Sequence, residues 1–220
     1  LAVNVGQTLT LLKLSIKEKV KKVVFISSAS VYGVKSNQPI SELALTNPIS
    51  SHGITKLTIE KYFELYNYHY GLDCKILRLS NPYGPGQNIY GRQGFVAIAI
   101  GKILSGESIE ICGDGNAIRD YIYIDDVTNV LNLLINTDSK ENIFNIGSGI
   151  GYSLNDVILK LSFYLGKKIN VMYAERRFFD IPSSILDVSK SINFLGHKNN
   201  HSFDEGLLLT LKHYKIKTTI

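Results

Sequence analysis

His52 and Lys56 stand four residues apart in "NPISSHGITKLTIEKYF", residues 47–63. On a helix that spacing puts an imidazole and an ammonium on one face. Such a pair can do acid–base chemistry, because a neighbouring cation disfavours the protonated imidazole and keeps it able to accept a proton. It can equally be two solvated side chains, which is the commoner fate of a His–Lys pair at this spacing. A metal site fits poorly, since the five histidines form neither an H-E-x-x-H helix nor a cluster with carboxylates. Other polar groups sit beside apolar runs: Ser28 in "VVFISSASVYG", Asn81 in "ILRLSNPYGPGQ", Arg119 in "GDGNAIRDYIYIDDV" and Arg177 in "RRFFDIP". A guanidinium suits bidentate contact with phosphate, although Arg119 also has Asp125 and Asp126 nearby as salt-bridge partners.

These groups need a scaffold, and apolar runs alternate with amphipathic stretches along the whole chain. Residues 1–16 read as a helix and "KVVFIS" (22–27) as a buried strand. A helix is expected at about 48–70, with Asn47 as N-cap, Pro48 in its first turn and Gly71 as its stop. Its apolar face recurs at Ile59, Tyr62, Phe63 and Tyr66. Strands follow at "CKILRL" (74–79), "SIEIC", "YIYI", "IFNIG" and "KINVMY", with helices at "GFVAIAIGKIL" and from about 125. Ser153 with Asp156 resembles a capping box, and Ser202 with Glu205 caps the last helix. Alternation of this kind predicts an α/β fold built on a parallel sheet. The stretch "FNIGSGIGYS" imitates a dinucleotide fingerprint, but G-x-G-x-x-G would require glycine where Tyr152 stands, so its glycines are read as turn formers.

Composition narrows the field. With 220 residues, 45% hydrophobic and 20% charged, the chain can bury a good core and is not of disordered type. Its longest apolar runs are too short to span a bilayer. The opening "LAVNVGQTLTLLKL" lacks the segments of a signal peptide, and the expectation is a cytoplasmic protein. Cys74 and Cys112 are isolated and read as reduced thiols. The net charge of +5 is scattered, without a groove-reading motif, and suits an anionic small molecule better than nucleic acid.

Taken in order, "NVGQT", "VVFISSASVYG", "SHGITKLTIEKY", "ILRLSNPYGPGQ", "GDGNAIRDYIYIDDV" and "FNIGSG" resemble the NAD-dependent epimerase/dehydratase family, the extended short-chain dehydrogenases that act on nucleotide sugars. The resemblance covers essentially the whole chain. It implies a partial Rossmann-like, doubly wound parallel sheet with a smaller C-terminal substrate-binding subdomain. Residues 1–92 would belong to the NAD domain and 93–220 mainly to the sugar-nucleotide subdomain, with about 120–146 returning to the first. The family's first strand and glycine-rich turn are expected to precede Leu1, so the chain alone is expected to bind NAD weakly and to be poorly soluble.

The resemblance also implies roles. The family uses a Ser/Thr, a Tyr and a Lys; here the first is Ser28, the last Lys56, and His52 stands at the tyrosine's position. These three would contact the cofactor NAD, with Asn4 and Ser80 as further cofactor contacts. Ser28, Asn81, Arg119, Arg177, Asp180 and Ser184 would line the UDP-sugar site, with the two arginines on the diphosphate. Ser184 falls at a gate beside the sugar's C2 substituent, where a small residue leaves room for an N-acetyl group. Family dehydratases carry Asp-Glu where this chain has Ala29 and Ser30, so the resemblance is to UDP-hexose or UDP-N-acetylhexosamine 4-epimerases, in polysaccharide precursor synthesis. A nucleotide-sugar reductase or decarboxylase of the same family stays open, as does a non-catalytic binding remnant. Family epimerases often pair through a four-helix bundle, which would make this chain a homodimer using the helix that carries His52.

Overall fold

The computed structural model describes residues 2–175 and 180–219. A π-helical turn, Ala2–Gly6, leads into α1, Gln7–Lys17, and β1 follows at Lys22–Ser28. After a short 3-10 turn at Ala29–Tyr32 comes α2, Ser51–Tyr70, and then β2, Asp73–Leu79. The chain continues through β3 (Asn81–Tyr83), α3 (Phe95–Leu104), β4 (Ile109–Cys112), β5 (Ile118–Tyr123), α4 (Ile124–Asn136) and β6 (Ile143–Ile146). It ends with β7 (Gly151–Ser153), α5 (Leu154–Leu165), β8 (Val171–Ala174), β9 (Ser183–Ser184), α6 (Ser189–Leu195) and α7 (Phe203–His213).

The expected parallel sheet is β1-β2-β6, with Ser27 opposite Arg78 and Ser28 opposite Leu79. Side chains of a strand alternate between faces, and β2 uses both. Cys74 and Ile76 pack with Leu12, Ile59, Phe63 and Tyr66 of α1 and α2. Leu77 and Leu79 point the other way, onto Phe144, Ile146 and the Val127, Val130 and Leu134 face of α4. Helices therefore cover both sides, as a buried parallel sheet requires. A separate core of α3, α5 and α7 closes around Ile109, Ile111, Leu161 and Leu207.

Two features depart from the sequence reading. The helix carrying His52 begins at Ser51, with Ser50 rather than Asn47 as its cap; the Ser50 hydroxyl accepts from the Gly53 amide at 3.1 Å. Asn47 lies ahead of the helix, its carbonyl so close to Gly33 that a Cβ on that glycine would be 1.9 Å away. Second, β5 does not join the main sheet: it pairs with β3 and β9 in parallel and with β7 antiparallel. The "GSGIG" turn after β6 reverses the chain and makes that antiparallel pair possible. Both capping boxes form as expected, at Ser153 with Asp156 and at Ser202 with Glu205. Gly71, in the left-handed conformation at φ +65°, ends α2. Cys74 and Cys112 are free thiols. Among the described residues, no helix is long and apolar enough to cross a membrane.

Candidate active site

Gly53 is the local reason that α2 arrives where it does. A Cβ on it would meet the Ser30 carbonyl oxygen at 2.6 Å, so the first turn of α2 sits directly against the turn that follows β1. That contact brings His52 and Lys56 to the end of β1, where Ser28 caps the 3-10 turn. The Ser28 hydroxyl accepts from the Ser30 amide at 3.2 Å and from the Ser30 hydroxyl at 3.0 Å, which leaves its own proton for a ligand. Gly53→Ala is expected to cost about 1–3 kcal/mol in urea unfolding, because backbone must move to admit the methyl. Gly6→Ala, where nothing lies within 4 Å, should leave stability near wild type and is the control.

Lys56 donates to the Ile26 carbonyl at 2.6 Å, and its ammonium lies 4.8 Å from the centroid of the Phe25 ring. Burial lowers its pKa, with the Glu60 carboxylate opposing. Partial burial and then the Lys56 charge hold His52 below the ordinary imidazole value. The pair is thus arranged as a neutral imidazole beside a fixed cation.

Both residues, with Ser28, line a cleft of about 660 Å³ that also holds Ser80, Asn81, Arg119 and Asp180. Seven of the ten expected site residues therefore meet in one space. Asn81 is fixed by donation from its amide to the Asp120 carbonyl at 3.0 Å. Arg119 donates to its neighbour's carbonyl, Ile118, at 2.8 Å, and Asp126 takes His201 at 3.1 Å instead of Arg119. Asn4 lies on the opening turn, exposed, its carbonyl accepting from Thr8, and does not line the cleft. Ser184 is buried in β9 opposite Arg119 and does not line it either. Arg177 lies outside the described residues.

Among the cleft residues that sequence reasoning did not name, Gln87 and Tyr121 stand out. Among the described residues, the buried side-chain atoms without a hydrogen-bond partner are the Ser80 hydroxyl, the Gln87 oxygen and the Tyr121 hydroxyl, and all three residues line this cleft. A buried polar atom left unmet costs about 1–3 kcal/mol, so the cleft is built for a polar ligand that supplies the partners. Burial drives the Tyr121 phenol far up, so it keeps its proton and has a hydroxyl donor to offer a ligand. The signal was present, since both residues sit inside quoted motifs, "NPYGPGQ" and "IRDYIYIDD".

The "FNIGSG" turn holds no phosphate cradle. Its donors are already used by the buried Asp120 carboxylate, which accepts from the Ser148 amide (2.7 Å) and hydroxyl (2.8 Å) and from the Gly149 amide (3.2 Å). The Leu186 amide adds a fourth bond at 3.2 Å. A Cβ on Gly147 would lie 2.4 Å from that carboxylate, which explains the glycine without a ligand.

A doubly covered parallel sheet, with a polar cleft beyond the carboxyl ends of its strands, defines an α/β protein of Rossmann type. The pattern of the NAD dependent epimerase/dehydratase family matches residues 1–147, and the chain belongs to that family. The crystal structure of UDP-glucose 4-epimerase with UDP-glucose from Thermotoga maritima is similar, with a TM-score of 0.93 and 38% identity; 97% of this chain covers 70% of that one. UDP-N-acetylglucosamine 4-epimerase from Methanobrevibacter ruminantium M1, in complex with UDP-N-acetylmuramic acid, gives a TM-score of 0.91 at 30% identity, over 97% of this chain and 69% of that one. The dTDP-4-dehydro-6-deoxyglucose reductase of Escherichia coli is 34% identical over 90% of this chain and 62% of its own length. The chain thus spans between three-fifths and seven-tenths of these relatives.

Proposed function

We propose that the chain handles a UDP-sugar and NAD in a 4-epimerase reaction. The observation that carries this reading is the meeting of Ser28, His52 and Lys56 with Asn81, Arg119 and Asp180 in one cleft. NAD, held by Ser28, Lys56 and Ser80, would supply a reversible hydride acceptor at the sugar's C4. The unpaired Ser80 hydroxyl and the Lys56 ammonium fit a ribose and nicotinamide end. His52 takes the proton of the C4 hydroxyl, Lys56 keeps the imidazole neutral beforehand, and Ser28 donates to the same oxygen. Asn81 and Arg119 hold the diphosphate, with Tyr121 and Gln87 meeting polar groups of the nucleotide or sugar.

Incubating the purified chain with UDP-glucose, or UDP-N-acetylglucosamine, and a large excess of NAD that offsets its expected weak binding tests this. The expected result is UDP binding by calorimetry, a transient absorbance of reduced NAD, and slow appearance of the C4 epimer by NMR. Absence of UDP binding by the folded chain would overturn the reading. His52 favours a second one, a protein that binds NAD and nucleotide sugar with little turnover; binding without any epimer would select it.

A homodimer fits the surface of the first two helices. Leu11 and Leu14 of α1 and Ile54, Leu65 and Tyr68 of α2 are exposed, an apolar set of the kind that two helix pairs bury in a bundle. Leu65→Glu with Tyr68→Glu should convert a dimer to monomer in sedimentation velocity; a wild-type chain that is already monomeric would rule the bundle out.

A further inference from the structure

Glu60 is fully buried one helical turn beyond Lys56 and two beyond His52. Its carboxylate accepts from Arg78 Nη2 at 2.7 Å, from Arg78 Nε at 3.2 Å to each oxygen, and from the Ser27 hydroxyl at 2.5 Å. Arg78 in turn donates to the Tyr32 hydroxyl at 3.1 Å, and Tyr32 donates to Asn145 at 2.7 Å. We infer that Glu60 is a positioning residue that sets Lys56 and His52 against the end of β1, an inference that rests on the proposed function.

The geometry carries it. Ser27 and Arg78 are opposite each other across β1 and β2, so Glu60 ties α2 to both strands at once. Lys56 binds the carbonyl of Ile26, Glu60 binds the side chain of Ser27, and Ser28 is the next residue of the strand. Two consecutive residues of β1 are thereby registered against one face of α2, and Ser28 follows them directly in the strand. Stability alone does not call for this arrangement. Removing a carboxylate and a guanidinium from water costs several kcal/mol each, and an apolar pair of equal volume often holds a core as well or better. What an apolar pair lacks is direction: it would let α2 slide along or rotate on the sheet, and a displacement of about 1 Å in a reacting group can cost about 10²-fold in rate. Besides Arg78, Lys56 on the same helix is a charged neighbour of Glu60, and the backbone carbonyl of Glu42 receives Arg78 at 3.5 Å.

The test uses the free chain, without cofactor or sugar, and reads the NMR titration of the His52 Cε1–Hε1 resonance. It compares wild type, Glu60→Gln, and a double variant, Glu60→Met with Arg78→Met, that removes both charges and keeps the volume. Both variants are expected to shift the His52 midpoint upward toward its ordinary value, because the imidazole leaves its partly buried place beside Lys56. The double variant should hold a urea midpoint close to wild type, and so report position separately from stability. Its kcat for the UDP-sugar should fall about 10²-fold with KM unchanged. A folded double variant whose His52 midpoint matches wild type would overturn the inference, as would one that fails to fold, since that makes the pair a stability element. UDP binding by the wild-type chain tests the underlying reading separately.

Discussion

Replacing His52 by tyrosine should raise turnover of a UDP-sugar about 10²-fold, equivalent to about 2.7 kcal/mol of barrier. His52 already has the right neighbours: Lys56 within electrostatic reach and Ser28 across the cleft. What it lacks is length. An imidazole nitrogen ends short of where a phenolic oxygen ends, and a general base acting directly must come within about 2.6–3.2 Å of the oxygen whose proton it takes. A tyrosine here would be longer and would gain from the same cation, which lowers a phenol's pKa as it lowers an imidazole's. The pH profile separates the two chemistries. Burial and Lys56 depress the imidazole, so the wild-type base is in its working, unprotonated form at neutral pH and is lost only as pH falls through that depressed value. The tyrosine variant needs a proton removed, so its rate should climb through the alkaline range instead. The measurement is kcat by NMR of the C4 epimers for both proteins from acid to alkaline pH. Equal turnover at neutral pH would show that the imidazole reaches its target.

Local signals were legible in the sequence, and contacts between distant segments were not. The capping boxes at Ser153 and Ser202 were readable because donor and acceptor lie three residues apart. The same kind of local rule failed at Asn47: an asparagine before a proline is a fair helix start, but here the segment packs closely against Gly33 and the helix begins later, with the Ser50 hydroxyl as its cap. The two-residue β9 and three-residue β3 carry no periodicity of their own and exist only through pairing with β5. Lys56, Ser28 and Arg119 were singled out because they stand in ordered motifs that resemble a family, and the fold brings all three to one cleft. Glu60 and Arg78 were not, since a glutamate between "TI" and "KY" reads as solvated, and only the fold shows it fully buried opposite Arg78. Ser184 marks the reverse case, a position assigned by resemblance whose side chain lies in β9 away from the cleft lining.

Asp120→Ala should be strongly destabilising, by about 3–4 kcal/mol in urea unfolding. Its carboxylate receives four donors from two separate segments, two from Ser148, one from Gly149 and one from Leu186. Alanine would leave three backbone amides and a hydroxyl facing an empty space, and each buried donor so stranded costs about 1–3 kcal/mol before the turn relaxes. Ser148→Ala removes one donor to the carboxylate and the acceptor of the exposed Ile150 amide, while the three amides on Asp120 stay paired, so about 1 kcal/mol is expected. The functional consequence follows from what flanks Asp120 on β5. Arg119 and Tyr121 are its neighbours in sequence, and its own carbonyl receives the Asn81 amide. If the nest holds β5 in place beneath the cleft, Asp120→Ala should weaken UDP binding more than Ser148→Ala does, in calorimetry at a temperature where both variants are folded. Equal loss of stability in the two would mean that the glycine turn is held by its chain connections and not by the carboxylate.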